Sequence, residues 1–300
     1  MSESGGQRDA GAWDVYWRGT RENAAHREGG PQEQVLAKFW GELFQRRLAG
    51  REPQRLLDLA CGNGAVTGYA LRAAPEVDST CADYSRSALL ELGARYPHSR
   101  RVVADALHPP FASGAFDLVA SQFGVEYAGE HALQAAGQLV ARDGLLAMVL
   151  HLHAGGIYRE CEHNLKAVQA IAGLDIMSLA RQAFSAGFAL NRGSGRVEEF
   201  KSAERRFAPA VRGLEGVLRD FGGDAADGLP RQLYQDIAHM YQRMSAYDEA
   251  DILGGIDGMD GELQAYAGRM ASLLGAALGE ESLARAVSGL LDSGVRPLSR

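Results

Sequence analysis

The arrangement of apolar segments between residues 55 and 152 constrains the fold of this chain more than any other feature. Short apolar runs alternate there with stretches of helical composition. The runs lie at residues 55–59, 79–82, 101–104, 116–120 and 145–150. Runs of this length, bounded by turn or acidic residues, are typical of strands buried in a parallel sheet. Because strands that alternate with helices form right-handed βαβ units, the pattern predicts an α/β fold with a doubly wound, mostly parallel sheet.

The segments on either side of this region have different patterns. Residues 1–54 begin with a polar stretch rich in Gly and Ser and continue with Trp13, Tyr16 and Trp17. We interpret them as a partly disordered N-terminal extension whose aromatic residues form either a lid or a cover for the core, followed by an amphipathic helix. Residues 153–300 carry apolar residues at helical spacing, which predict a large helical region for substrate binding or dimerisation.

The composition argues against several classes of protein. A net charge of −7 disfavours a nucleic-acid partner, because such proteins usually carry clustered Lys and Arg. The three cysteines are too few and too widely spaced to indicate a disulfide framework or a metal site. No stretch reaches the roughly 18 apolar residues of a membrane span, and the N-terminus is polar. The sequence therefore predicts a cytoplasmic protein that binds neither a membrane nor a metal ion, and it leaves a homodimer open.

The sharpest motif is an apolar strand that runs through Asp58 into a turn of small residues. The turn consists of Ala60, Cys61, Gly62, Asn63 and Gly64. Its glycines allow close backbone approach to a ligand, and the helix that follows presents free N–H groups, although many such turns carry glycine only for packing. Asp83 and Asp105 follow the next two strands. Three acids along one carboxyl edge of the sheet predict a ligand site there.

Together these residues resemble the motifs of the class I S-adenosylmethionine-dependent methyltransferases, which have a Rossmann-like sheet. The resemblance extends over residues 55–152 and implies that this region binds S-adenosylmethionine. By that likeness the turn contacts the methionine part of the cofactor, and Asp58 reaches its amino group either directly or through water. Asp83 is similar to the acid that holds both ribose hydroxyls, with Tyr84 beside the adenine.

The resemblance also implies roles further along the chain. Asp105 and Ala106 are similar to the pair that reads the adenine edge. Gln122 lies in the segment after the fourth strand, where the cofactor site meets the substrate wall. The family's sheet normally closes with two more strands, but residues 295–298 are the only extended candidate near the C-terminus. Either the sheet lacks that hairpin or the terminal helices replace it.

The side chains that would act on an acceptor follow the fourth and fifth strands, because ligands bind beyond the carboxyl ends of strands in an open α/β sheet. His151 and His153 alternate on a strand end, so only one of them can face the site. We prefer His151 as the catalytic base, with Glu126 and Tyr127 as alternatives. Each of the three also has a structural interpretation, as a hydrogen-bonding, solvated or helix-capping residue.

These expectations lead to a function. The sequence predicts an enzyme that transfers a methyl group from S-adenosylmethionine to an oxygen or nitrogen of a small molecule. The alternative is a protein that binds S-adenosylmethionine but has lost catalysis and serves as a regulatory or partner-binding subunit. A nicotinamide dehydrogenase is disfavoured, since the dinucleotide fingerprint expects glycine where Ala60 stands and Asp58 would face the pyrophosphate.

Overall fold

The computed structural model describes residues 31–50, 52 and 54–297. Trp13, Tyr16 and Trp17 lie outside the described residues, and so does the segment expected to be disordered. The chain forms two compact units. Unit 1 contains the described residues up to Tyr158 and those from Gly275 onward, and unit 2 contains Arg159–Leu274.

Unit 1 is built on a five-stranded sheet in which every pair of neighbours is parallel. The strands are β1 (Arg55–Leu59), β2 (Asp78–Asp83), β3 (Arg100–Val103), β4 (Phe116–Gln122) and β5 (Val140–Val149). Their order is β3-β2-β1-β4-β5, so β1 is central and the chain reverses direction across the sheet between β1 and β4. This topology confirms the predicted doubly wound α/β fold and places a ligand crevice beyond the carboxyl end of β1.

Four helices precede or connect these strands. They are α1 (Pro31–Arg47), α2 (Ala65–Ala73), α3 (Arg86–Arg95) and α4 (Glu130–Gln138), and a short 3₁₀ helix covers Val125–Ala128. Helix α1 buries Leu36, Trp40 and Phe44 in a cluster with Leu56 of β1 and Leu118 of β4. Its apolar residues therefore cover the sheet, as their helical spacing predicts.

Unit 2 consists of helices and the turns that join them over its described length. Its helices are α5 (Gly156–Ala172), α6 (Ile176–Asn191), α7 (Val197–Phe221), α8 (Leu229–Gln242) and α9 (Glu249–Ala276), the first and last of which extend slightly beyond the unit. Phe184, Leu214 and Ile256 are among the fully buried side chains of its core. The apolar stripes of residues 159–274 thus form a core of their own.

The C-terminal part of the predicted helical region packs with unit 1. Helix α10 (Glu280–Asp292) buries Ala286 in a cluster with Leu133 of α4, and Leu278 joins the same cluster. The Leu278 N–H donates to the His151 carbonyl at 2.9 Å, and the His153 N–H donates to the Leu278 carbonyl at 2.9 Å. Helical periodicity identifies α10 but does not indicate which core it covers, so residues 153–300 divide between two units.

No sixth or seventh strand occurs among the residues that the structure describes, and residues 295–297 are not part of a strand. The C-terminal segment instead forms an isolated parallel bridge, between Leu152 and Leu278, and helix α10. Over the described ranges, no helix has the length and apolar character needed to cross a membrane.

Candidate functional site

The turn between β1 and α2 has an unusual backbone. Ala60, Gly62 and Gly64 have φ values of 54°, 52° and 91°, all in the left-handed region that favours glycine. A Cβ atom on Gly64 would lie 2.9 Å from Leu92 Cδ1, so a side chain here would force Leu92 to move. The Gly64 N–H donates to the Cys61 carbonyl at 2.9 Å. Both glycines of the motif therefore serve the turn conformation, and Gly64 also allows close packing against α3.

Asp83, the last residue of β2, connects this turn to the neighbouring helix. Its Oδ2 accepts a hydrogen bond from the Gly62 N–H at 2.8 Å, and its Oδ1 accepts one from the Ser85 N–H at 2.7 Å. Ser85 in turn caps α3 by accepting from the Ala88 N–H at 3.2 Å. Tyr84, between them, is 54% exposed. The Asp83 carboxylate thus holds the turn of residues 60–64, which the resemblance assigns to cofactor binding (the cofactor turn). A contact of Asp83 with the ribose stays a prediction.

Asp58 lies on β1 beneath the turn and is fully buried. Its Oδ2 accepts two hydrogen bonds from Thr67, from the N–H at 3.0 Å and from the hydroxyl at 2.7 Å. Its Oδ1 has no hydrogen-bond partner among the described residues. Burial raises the pKa of Asp58 to about 7, and the hydrogen bonds from Thr67 oppose that rise. A cationic donor at Oδ1 would satisfy this orphaned oxygen, so the residue fits the ammonium group of S-adenosylmethionine.

Asp105, which follows β3, also interacts with residues close to it in the sequence. The Leu107 N–H donates to Asp105 Oδ1 at 2.9 Å, and His108 Nδ1 lies 3.9 Å from Asp105 Oδ2. Ala106 is buried in the apolar cluster beneath this edge of the sheet. Asp58, Asp83 and Asp105 therefore lie at the carboxyl ends of three neighbouring strands. Their contacts with the cofactor stay predictions.

Gln122, at the end of β4, is positioned by helix α1. Its Oε1 accepts a hydrogen bond from Trp40 Nε1 at 2.6 Å, and Trp40 is fully buried. The sequence predicts an amphipathic helix in this region but assigns no role to Trp40. The two residues are 82 positions apart, and nothing in the local pattern indicates their contact.

The three candidate catalytic residues lie together. His151 Nδ1 is 2.7 Å from Glu126 Oε1, which also accepts a hydrogen bond from the His151 N–H at 3.1 Å. Both side chains are buried, and Glu126 Oε2 has no partner in the part of the chain that the structure describes. The Phe123 ring stacks on the imidazole of His151 at 4.4 Å, and the Tyr127 ring meets it edge-on at 6.0 Å.

His153 differs from His151 in burial, as the alternation of side chains along a strand predicts. It is exposed, and its ring lies 4.4 Å from that of Tyr158. His151 is the histidine of the pair that turns towards the end of β4. The catalytic role of His151 stays a prediction.

Gly124, which no sequence pattern singles out, brings the segment after β4 into contact with the turn after β1. Gly124 follows β4, and a Cβ atom there would lie 2.6 Å from Ala60 Cβ and 2.7 Å from the Ala60 carbonyl oxygen. The preceding residue, Phe123, has a φ of 53°. The segment that carries Glu126 thus packs directly on the turn after β1. The only signal for this contact in the sequence is a glycine after a strand, which is not specific.

We expect Asp83→Ala to weaken binding of S-adenosylhomocysteine by more than about tenfold, because a charge-assisted hydrogen bond contributes roughly 1.5 to 3 kcal/mol. The loss combines missing ribose contacts with a turn no longer held at Gly62. Calorimetric titration measures the change. Asp78→Ala is the matched control, since Asp78 begins the same strand and forms an exposed ion pair with Arg100. Equal affinities for the Asp83 variant and the wild type would show that binding depends neither on a ribose contact of Asp83 nor on its hydrogen bond to the Gly62 N–H.

Comparison with known proteins identifies the region that carries this site. Residues 56–144 match a family model described as a methyltransferase domain. The chain is 34% identical over 94 residues to the ubiquinone/menaquinone biosynthesis C-methyltransferase UbiE of Cereibacter sphaeroides, covering 29% of this chain and 38% of that protein. It is 34% identical over 145 residues to the malonyl-[acyl-carrier protein] O-methyltransferase of Geobacter sulfurreducens, covering 45% of this chain and 51% of that protein.

Among solved structures, the sugar N-methyltransferase KedS8 from Streptoalloteichus matches with a TM-score of 0.37 at 19% identity, covering 48% of this chain and 55% of that chain. Scores of this size carry no argument about activity or substrate. The chain spans between 38% and 51% of the length of the two curated relatives named above. The match over residues 56–144, together with the turn of acid and glycine residues, identifies this part of the chain as a domain of the class I S-adenosylmethionine-dependent methyltransferases, whose cofactor is S-adenosylmethionine.

Proposed function

We propose that this protein transfers a methyl group from S-adenosylmethionine to an oxygen or nitrogen atom of a small-molecule acceptor, and that His151 takes the acceptor's proton. The observation that carries the proposal is the buried contact of 2.7 Å between His151 Nδ1 and Glu126 Oε1. The cofactor supplies the methyl group on a sulfonium. The protein must then align the acceptor, exclude water and remove a proton where the acceptor carries one.

The geometry of the pair suits a base. A neutral imidazole that donates its Nδ1–H to a carboxylate has Nε2 as its acceptor atom. Glu126 fixes that tautomer and stabilises the imidazolium that forms when Nε2 receives a proton, which is the arrangement of a base held by an orienting acid. Phe123 stacks on one face of the ring and limits its rotation. Among the described residues, Nε2 makes no hydrogen bond that would compete with a substrate.

The pair favours a hydroxyl oxygen over an amine nitrogen as the acceptor. A hydroxyl is a weak nucleophile until it loses its proton, whereas a neutral amine can attack first and lose its proton afterwards. The relatives named above are a C-methyltransferase and an O-methyltransferase by name. A carbon acceptor activated by a neighbouring hydroxyl would need the same base, so carbon must be included in any test of the acceptor atom.

The proposal is tested in two steps on the full chain. We expect S-adenosylmethionine and S-adenosylhomocysteine to raise the melting temperature while NAD does not, since a ligand at 100 times its Kd stabilises by about 2.7 kcal/mol. Labelled methyl transfer is then measured with phenols, aliphatic alcohols, carboxylic acids, amines and carbon acids of low molecular mass.

Transfer to a hydroxyl compound is the expected result. A shift with NAD alone would contradict the cofactor assignment. Binding of S-adenosylmethionine without transfer to any acceptor class would favour the regulatory or partner-binding alternative over an enzyme.

A further inference from the structure

A hydrogen-bond network of buried polar side chains lies beneath the cofactor turn. Thr67, on the first part of α2, is fully buried and donates both its N–H and its hydroxyl to Asp58 Oδ2. Its Oγ1 also lies 3.2 Å from the Sγ atom of Cys81 on β2. Buried polar networks of this kind fix the orientation of their members, because a broken hydrogen bond leaves an unsatisfied group in the core. Thr67 therefore determines how the Asp58 carboxyl is held.

The numbers of available donors and acceptors determine which atom donates in each hydrogen bond of this network. The Thr67 hydroxyl has one hydrogen, which it donates to Asp58 Oδ2, so the Cys81 thiol is left to donate to Thr67 Oγ1. The Asp58 carboxyl is thus the final acceptor. All of these interactions converge on Oδ2, and Oδ1 is buried without a partner in the described part of the chain. Thr67 accordingly leaves one defined oxygen of Asp58 for a ligand.

No positively charged side chain among residues 31–50, 52 and 54–297 faces Asp58. The titratable groups that face it are Asp83, at the end of β2, and the thiols of Cys61 and Cys81. Within the described residues, Asp58 forms no ion pair. A buried carboxylate with one bare oxygen and an anionic neighbour is strongly disfavoured, because neither water nor a cation compensates its charge.

We propose that Asp58 is a neutral carboxylic acid in the cofactor-free protein, that it releases its proton when the ammonium group of the cofactor reaches Oδ1, and that Thr67 is the positioning residue that presents Oδ1. This inference rests on the proposed binding of S-adenosylmethionine. The step is balanced, since one proton leaves Asp58 for solvent and the ammonium donates a hydrogen bond to the carboxylate in its place.

The pKa of Asp58, which burial raises to about 7, gives the pH range of the effect. An acid whose pKa is higher in the folded than in the unfolded protein binds its proton more tightly when folded. Its contribution to the stability of the cofactor-free protein is therefore complete at low pH, is lost as the pH rises from about 4 to about 7, and stays constant above that. Cofactor affinity changes in the opposite sense and increases up to about pH 7.

Calorimetric titration of the full chain with S-adenosylhomocysteine tests the inference, because that molecule has the same ammonium group. Titrations in buffers of different ionisation enthalpy count the protons released. We expect close to one proton per site at pH 5.5, about half at pH 7 and almost none at pH 8.5, with Kd rising about tenfold per pH unit below pH 7. Repeating the series in His108→Gln excludes the imidazole near Asp105 as the source.

Variants of Thr67 separate positioning from general packing. Thr67→Val keeps the shape and the N–H but removes the hydroxyl, whereas Thr67→Ser keeps the hydroxyl. We expect Thr67→Val to move the midpoint of proton release to higher pH and to weaken binding at pH 7 by about tenfold, while Thr67→Ser stays close to wild type. A midpoint that does not move in Thr67→Val would show that Thr67 is only a packing residue.

Asp58→Asn provides a measurement that does not involve the cofactor. In the cofactor-free protein, its melting temperature should exceed that of wild type at pH 8 and the two should converge near pH 4. Failure of the proposed function would appear as no binding of S-adenosylhomocysteine by wild type at any pH. Failure of this inference would appear as tight binding with no proton release, or as a difference in melting temperature that does not depend on pH.

Discussion

We expect His151→Asn to lower kcat for methyl transfer by about 10²-fold to 10⁴-fold, which is the usual contribution of a general base. The asparagine amide can still donate a hydrogen bond to Glu126 Oε1, which lies 2.7 Å from His151 Nδ1 in the wild type. The variant loses only the second ring nitrogen, which is the one that would receive the proton. Its affinity for S-adenosylhomocysteine should change by less than about twofold, because interactions made only in the transition state affect kcat and leave ground-state binding unchanged.

Two further variants show what kind of role each residue has. His153→Asn is the matched control, because His153 is two residues away on the opposite, exposed side, and its kcat should equal that of wild type. Glu126→Gln should reduce kcat with little change in KM, since Glu126 acts by orienting and charging the imidazole. If His151→Asn retains full activity, His151 is a structural residue that anchors the end of β5 to Leu278 through its carbonyl.

The sequence alone predicts the sheet correctly because its signals are local. Each strand is an apolar run between turn residues, and alternation with helices is enough to establish parallel pairing. The boundaries are less accurate. The fifth strand is expected at residues 145–150 but begins at Val140, because its first half is partly exposed and lacks the continuous apolar pattern of a buried strand.

The site is harder to predict, because its important contacts join distant parts of the chain. The motif around Asp58 and the acids after β2 and β3 can be located from the sequence. Thr67 cannot be distinguished there from any other polar residue on α2, since its role depends on hydrogen bonds to Asp58, nine positions earlier, and on its contact with Cys81. The pairing of His151 with Glu126 joins residues 25 positions apart.

The C-terminal region shows a different limit of prediction from the sequence. Amphipathic periodicity correctly predicts that residues 153–300 are mostly helical, but it cannot assign each helix to a core. Helix α10 packs on α4, where the Leu290 side chain fills the space next to Gly137, and helices α5 to α9 bury their own core. Two helices whose apolar faces have the same width show the same sequence pattern, whichever core each of them covers. Which of them meets the sheet depends on the path of the chain after Leu278.

Gly124→Ala should have the largest effect on cofactor binding, and we expect the affinity for S-adenosylhomocysteine to fall by more than about 100-fold. The backbone of Gly124, with φ −144° and ψ −48°, lies outside the left-handed region, so the effect arises from space. The new methyl group would lie 2.6 Å from Ala60 Cβ and 2.7 Å from the Ala60 carbonyl oxygen. Side-chain carbons do not approach other heavy atoms this closely, so the turn after β1 must shift.

The cost to folding should be smaller than the cost to binding. Overpacking of this kind destabilises by about 1 to 3 kcal/mol, whereas a displacement of about 1 Å in a binding loop can remove most of its contacts with a ligand. Gly41→Ala is the control, because a Cβ atom there, on α1, meets nothing within 4 Å. That variant should fold at least as well as wild type and bind the cofactor normally.

A second substitution distinguishes a local clash from general damage to the fold. Ala60 has a φ of 54°, so Ala60→Gly relieves a backbone conformation that disfavours alanine and also removes the methyl group that the new side chain would meet. The double variant Ala60→Gly with Gly124→Ala should therefore recover at least tenfold of the lost affinity, since the remaining contact with the Ala60 carbonyl can be relieved by a smaller shift. Independent, additive losses in the two single variants would contradict a direct contact between the segment after β4 and the cofactor turn.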